Sequence, residues 1–100
     1  MTWAGVDAET VTGFVNVSFD VEEPSAEIHM IAVAPAFQRR GTASALTAHA
    51  LAEMRRRGIT LATVATGGDA GHAPARLTYE KAGFAGFPQV LCSRLLSADE

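Results

Sequence analysis

Arg39, Arg40 and Gly41, in the stretch "FQRRGTASAL", stand where an apolar run gives way to a helical pattern. A strand that enters a glycine-containing turn and then a helix aims several unpaired backbone amides at one spot, with the positive end of the helix dipole behind them. Phosphate groups bind at such ends. Gly41 lets the backbone approach a ligand, Thr42, Ala43 and Ser44 leave room at the first turn, and the arginines add charge, so a pyrophosphate would fit. An ordinary strand-to-helix connection with solvated arginines would use the same residues, and both readings stand at this point. The turn lacks the glycine-lysine-threonine or glycine-lysine-serine of a P-loop, and there is no G-x-G-x-x-G pattern.

Tyr79 is the chain's one tyrosine. A phenol, with an ordinary value of about 10, stays protonated at neutral pH and can donate a proton, although a lone helical tyrosine equally serves packing. Glu27 and His29 lie two apart in a strand-like run and share a face. Asp69 and His72, between a strand and a helix, are placed to touch a ligand or to serve as a turn residue and a helix cap. His49 is expected to face solvent. The single cysteine, Cys92, forms no internal disulfide, and no cysteine-histidine spacing suggests a metal.

The elements that must position these residues follow from periodicity. Trp3 to Val6 is a short strand, 7–9 a turn, and "TVTGFVNVSF" at 10–19 a second strand, with Val11, Gly13, Val15, Val17 and Phe19 alternating against Thr12, Phe14, Asn16 and Ser18. After the polar turn at 20–25, a third strand over 26–33 sets Glu27, His29, Ile31 and Val33 on one face and Ile28, Met30 and Ala32 on the other. Pro35 stops the ladder. The helix that follows carries an apolar stripe of Leu46, Ala50, Leu51 and Met54. It ends in Arg55, Arg56 and Arg57, which suit the negative end of the dipole, and in the stop Gly58. A largely buried fourth strand is predicted over 59–66, then a loop at 67–72, a short helix over 73–83 with Pro74 near its start, and one or two strands over 84–96 interrupted at Pro88. The strands at 26–33 and 59–66 should be parallel neighbours joined by a right-handed crossover, in an α/β fold with a mixed sheet.

The chain has 100 residues, the size of one compact domain, and we read 1–100 as a single unit. Its composition, 48% hydrophobic and 19% charged, supports a core. A net charge of -3 argues against a general nucleic-acid binder. The first residues do not read as a signal peptide, and no run reaches transmembrane length, so a soluble protein without a membrane partner is expected, in a reducing cytoplasm.

At this point the sequence resembles a family. "IAVAPAFQRRGTASAL" is similar to the acetyl-CoA-binding motif of the GNAT acetyltransferase superfamily, a strand, then Q/R-x-x-G-x-G/A, then a helix. "HAPARLTYEKAGF" resembles the second signature of those enzymes, a helix with a tyrosine shortly before a terminal glycine-phenylalanine. The resemblance covers about residues 10 to 96 and implies a GNAT-like mixed sheet, flanked by helices, whose parallel strands splay apart. It further implies that the backbone of Ile31, Ala32 and Val33 bonds the pantetheine arm of acetyl-CoA, and that Gln38, Arg39, Arg40, Gly41, Thr42, Ala43 and Ser44 form the pyrophosphate motif. Two residues depart from the pattern. Ala43 stands where glycine is commonest, and His72 stands where many members have an asparagine that touches the cofactor.

The implied activity is acetyl transfer from acetyl-CoA to a primary amine of a small molecule or protein, without a metal. An alkyl amine is under about 0.1% neutral at pH 7, so a base or a water relay is required. The resemblance gives Tyr79 the role of acid toward the leaving thiol. It gives Glu27 the role of base, since its spacing to Gln38 is similar to that of the catalytic glutamate in histone-type members. His29, whose side-chain type titrates near neutrality, is the other candidate. Members usually begin with a strand and two helices that wall the acceptor site, whereas this chain starts at what looks like the second strand. Either a partner subunit, as in a homodimer, covers the exposed sheet edge, or the chain is a truncated version of a longer protein. The alternative to an enzyme is a non-catalytic acyl-CoA-binding regulatory module.

Overall fold

A computed structural model describes residues 1–20, 22–68 and 70–98. Four strands form one sheet in the order β1 (Thr2–Asp7), β2 (Thr10–Asp20), β3 (Ser25–Val33) and β4 (Leu61–Val64). β1, β2 and β3 are antiparallel, and β3 and β4 are parallel, joined through α1 (Thr42–Arg56). The hairpin between β1 and β2 turns on Ala8 and Glu9, both at positive φ (49° and 70°), the backbone twist that a two-residue hairpin requires. α2 (Ala73–Lys81) follows β4, and Gly83, at φ 97°, stops it. No helix among the described residues is long and apolar enough to cross a membrane.

The core lies between one face of the sheet and α1. Val15, Val17, Ala26 and Ile28 from the sheet meet Leu46, Ala50 and Met54 from the helix, all buried. Each large side chain here contributes about 1.5–3 kcal/mol by leaving water. Thr47, fully buried on the same stripe, satisfies its hydroxyl by donating to the Ala43 carbonyl at 2.8 Å. At the end of α1, the Arg57 guanidinium lies over the Phe19 ring, 4.8 Å from its centroid, and over that of Trp3 at 5.9 Å.

Four expectations are corrected. β3 carries a bulge: Val17 faces Ile28 and Asn16 faces Met30, so His29 is an extra residue with no partner across the ladder. Strict alternation therefore fails after His29. Ile31, opposite buried Val15, and Val33 turn to the α1 side, while Met30 and Ala32 join Glu27 on the other face. In β2 the buried residue near the start is Thr12, not Val11, which is 58% exposed; β1 shifts register between Gly5 and Val6 at this level. β4 is shorter than 59–66 and is an edge strand, with Leu61 exposed on the face that α1 does not cover.

The fourth correction concerns 84–96, which forms no strand. Phe87, Val90, Leu91, Leu95 and Leu96 are all exposed. The radius of gyration, 15.8 Å, exceeds the roughly 13 Å of a compact 100-residue domain.

Candidate functional site: the free half of the third strand

β4 runs alongside β3 only as far as the pair Ile28 and Val64. Beyond that level residues 29–33 of β3 keep β2 on one edge and have no strand on the other among the described residues. The parallel pair opens at the bulge. A half-strand with one free edge presents backbone donors and acceptors that must find partners elsewhere. Gln38 supplies one, its Nε2 donating to the Val33 carbonyl at 3.2 Å.

The free half leads through a single 3₁₀ turn at Pro35–Phe37 to the turn before α1. Gly41 caps that helix at φ 79° and without any side-chain cap, and the first turn holds no acidic residue. The amides at the start of α1 therefore face outward with the dipole uncancelled. Arg39 also takes positive φ (63°), a left-handed conformation that a non-glycine residue adopts at a cost of about 1–3 kcal/mol. A Cβ built on Gly41 would meet no protein atom within 4 Å, so the space above the turn is open. Thr42 Oγ1 donates to the Phe37 carbonyl at 3.3 Å and ties the turn to the segment before it.

A cleft of about 280 Å³ lies between the free half of β3 and α2. Ile31 and Val33 form its floor, Gln38 and Ala43 one side, and Thr78 and Tyr79 of α2 the other. Tyr79 stands edge-on to Phe84, with ring centroids 5.9 Å apart, and burial raises its phenol above the ordinary value. A larger cavity of about 600 Å³ lies between β1 and α1, lined by Trp3, Phe37, Arg40, Leu46 and His49. It holds neither the free half of β3 nor Tyr79, but it does reach Gly41 and Thr42 at the start of α1.

The predicted residues divide between these places. Ile31, Val33, Gln38, Ala43 and Tyr79 line the cleft, whereas Gly41 and Thr42, at the start of α1, line the larger cavity. Ser44 is exposed in the first turn. Arg40 is turned away, its guanidinium 5.4 Å from the Phe37 ring centroid on the side of the larger cavity. Ala32 and Glu27 lie on the opposite face of the sheet, Glu27 in the paired half of β3 beside Thr63 of β4. His72 stands at the N-cap of α2 without a side-chain cap bond, and Asp69 lies outside the described residues. His49 is exposed, as expected, yet edges against the Trp3 ring at 5.4 Å.

One member of the opposite face escaped sequence reasoning. His29 Nε2 is 2.8 Å from Ser18 Oγ, and its Nδ1 is 3.3 Å from Glu27 Oε1. Ser18 and Glu27 are direct cross-strand partners. The signal for Ser18 is its place opposite Glu27, which becomes visible only once the register of β2 against β3 is known.

Comparison with known proteins agrees with this geometry. The model of the Acetyltransferase (GNAT) family matches residues 1–84, so the likeness begins at β1 rather than at residue 10 and stops at Phe84. Among solved structures, a protein of the GNAT family from Desulfovibrio desulfuricans superposes with a TM-score of 0.79 at 27% identity, over 87% of this chain and 56% of its own. The aminoglycoside N-acetyltransferase AAC(6′)-Iy, in complex with CoA, gives a TM-score of 0.80 at 18% identity, over 96% of this chain and 75% of its own. An aminoglycoside acetyltransferase from an uncultured soil metagenomic sample, in complex with sisomicin, gives 0.76 at 17%, over 96% and 64%. The last two share the fold. The chain thus spans a little over half the length of the Desulfovibrio protein. A search of curated proteins returned no match. A family match over 84 of 100 residues, on a mixed sheet whose parallel strands part beside a glycine-capped helix, makes this chain a member of the GNAT acetyltransferase family.

Proposed function

We propose that this chain is an acetyl-CoA-dependent N-acetyltransferase that acetylates a primary amine of a small molecule or protein. The observation that carries the reading is the half-strand 29–33, open on one edge and running straight into the Gly41 turn. The open edge offers the backbone of Ile31 and Val33 to an amide-bearing arm, while Ala32, two residues before the Ala34 amide that bonds the Thr12 carbonyl, turns its own amide and carbonyl to β2. The α1 amides behind Gly41, from Thr42 to Ser44, offer a seat for a pyrophosphate, with Arg39 beside it. Bound there, acetyl-CoA supplies an acetyl thioester, whose carbonyl carbon is the electrophile.

The chain's own residues supply proton handling. Tyr79 holds a proton at its Oη in the cleft, and burial keeps that proton in place at neutral pH. Glu27 and His29, on the far side of β3, are placed to take the proton of an incoming ammonium. Separation of donor and acceptor by the strand suits a transfer in which amine and leaving thiol occupy opposite sides. Within this reading residues 1–100 act as one domain, without a metal. The acidic net charge supports amine rather than nucleic-acid partners, and the single thiol of exposed Cys92 supports the cytoplasm. The open outer edges of β1 and β4 support a homodimer.

A second reading has its own support. The face of the sheet carrying Met30 and Leu61 is exposed, which suits a module that binds the acyl-CoA without an acceptor site. Thiol release from acetyl-CoA across a panel of amines separates the two. Turnover is expected with at least one amine, and Tyr79→Phe should lower kcat by about 100-fold while calorimetry gives an unchanged CoA affinity. Binding without thiol release from any amine would establish the module instead.

A further inference from the structure

The contact between Ser18 and His29 is not needed by the fold. It is a single exposed side-chain hydrogen bond, and such a bond contributes about 0.5–1.5 kcal/mol. Yet its geometry is specific. Glu27 and Ser18 face each other across β3 and β2, and the bulge at His29 places two consecutive exposed residues, His29 and Met30, opposite Asn16 alone. The imidazole is thereby held between a carboxylate on one nitrogen and a hydroxyl on the other.

The negative carboxylate 3.3 Å from Nδ1 favours the tautomer of the neutral ring that carries its hydrogen there, because a carboxylate accepts and does not donate. Nε2 is then the bare nitrogen, and it accepts from the Ser18 hydroxyl. An amine approaching the base therefore finds the lone pair of His29 already occupied by Ser18. What it meets is the Ser18 oxygen, which has lone pairs to offer.

We propose that Ser18 is a catalytic residue that passes the acceptor's proton to His29. In this step an N–H bond of the substrate ammonium breaks and a new O–H bond forms on Ser18 Oγ. The original Ser18 O–H bond breaks and an N–H bond forms on Nε2. Serine ends neutral, the amine gains its free electron pair, and the imidazolium faces the Glu27 carboxylate, which keeps its charge. No further reactant is consumed. The inference rests on the acetyl-transfer reading for its substrate, but the arrangement of the three side chains does not.

Two measurements on the full chain test it. Nitrogen-15 spectra of the His29 ring read the tautomer without any substrate. A ring protonated at Nδ1 and bare at Nε2 is expected, and Glu27→Gln should weaken that preference. A ring protonated at Nε2 would overturn the proposal, since Ser18 could then hand it nothing. In kinetics, Ser18→Ala should lower kcat by about 100-fold with KM for acetyl-CoA unchanged, and Ser18→Thr, which keeps a hydroxyl, should recover most of the loss. A Ser18→Ala chain that folds by circular dichroism and turns over like the parent would also overturn it. Absence of turnover in the parent with every amine would instead remove the acetyl-transfer reading, and with it the substrate of this step, while the spectra still decide the tautomer.

Discussion

Residues 25–28 of β3 have a strand on both sides, and residues 29–33 have one. The first half, Ser25 to Ile28, alternates polar and apolar residues, the second, His29 to Val33, is mostly apolar, and a bulge of one residue separates them. In the first half the backbone is spent on the ladder and buried Ala26 and Ile28 anchor α1. In the second the same kind of side chain, Ile31 and Val33, floors a cleft. The difference teaches that the ligand edge of the proposed site comes from a neighbouring strand ending rather than from a special residue in β3. β4 stops at Val64, and whatever lies beyond it on β3 is available to a ligand.

The largest expected effect comes from making one substitution on each side of the bulge. Ile28→Ala removes a side chain that is 2% exposed and should cost about 2–5 kcal/mol of unfolding free energy by urea titration. Ile31→Ala removes a partly buried side chain that lines the cleft, so its stability loss should be smaller and its loss of CoA affinity larger. Equal stability losses, with affinity untouched by either change, would erase the distinction between the halves.

Next in size is the turn to which the free half leads. Gly41 adopts φ 79° with open space around it, so valine there meets no clash but disfavours the backbone conformation. The free turn relaxes to relieve the strain, and the cost of about 1–3 kcal/mol returns when a ligand demands the original shape. The expected result is a fall of about ten- to hundredfold in CoA affinity by calorimetry, with little change in melting temperature. Unchanged affinity would remove the turn from the site.

What the sequence made legible divides along the same line. Periodicity located the antiparallel strands, α1 with its stripe, and the crossover, because each depends on residues close in sequence. The glycine-capped turn was legible for the same reason, since Gly41 and its small neighbours are contiguous. The bulge was not, because an extra residue exists only relative to a partner strand, and so Ile31 and Val33 were assigned to the wrong face. The pattern at 84–96 looked like a strand, but a strand needs a neighbour to hydrogen-bond, and among the described residues this stretch has none. Tyr79 gained a role only through the family resemblance, and Ser18 had no local signature at all.

The smallest expected effect tests the paired half from behind, through the helix that covers it. Glu53 is held below the ordinary carboxylate value, chiefly by a hydrogen bond from Arg56 and then by the charges of Arg56 and Arg57. A carboxyl lowered in the folded state contributes stability that is present above its unfolded value, about 4.5, and is lost as pH falls through its folded value. Melting temperature should therefore decline slightly more steeply below pH 4.5 in the parent chain than in Glu53→Gln, with the two curves parallel near neutrality. Arg57 also rests on Phe19 and Trp3, so part of its contribution is packing that no carboxyl titration touches. If Glu53→Gln proved as damaging at pH 7 as Ile28→Ala, the last turn of α1 would be holding the paired half in place, and the division between a structural and a functional half of β3 would have to extend into the helix.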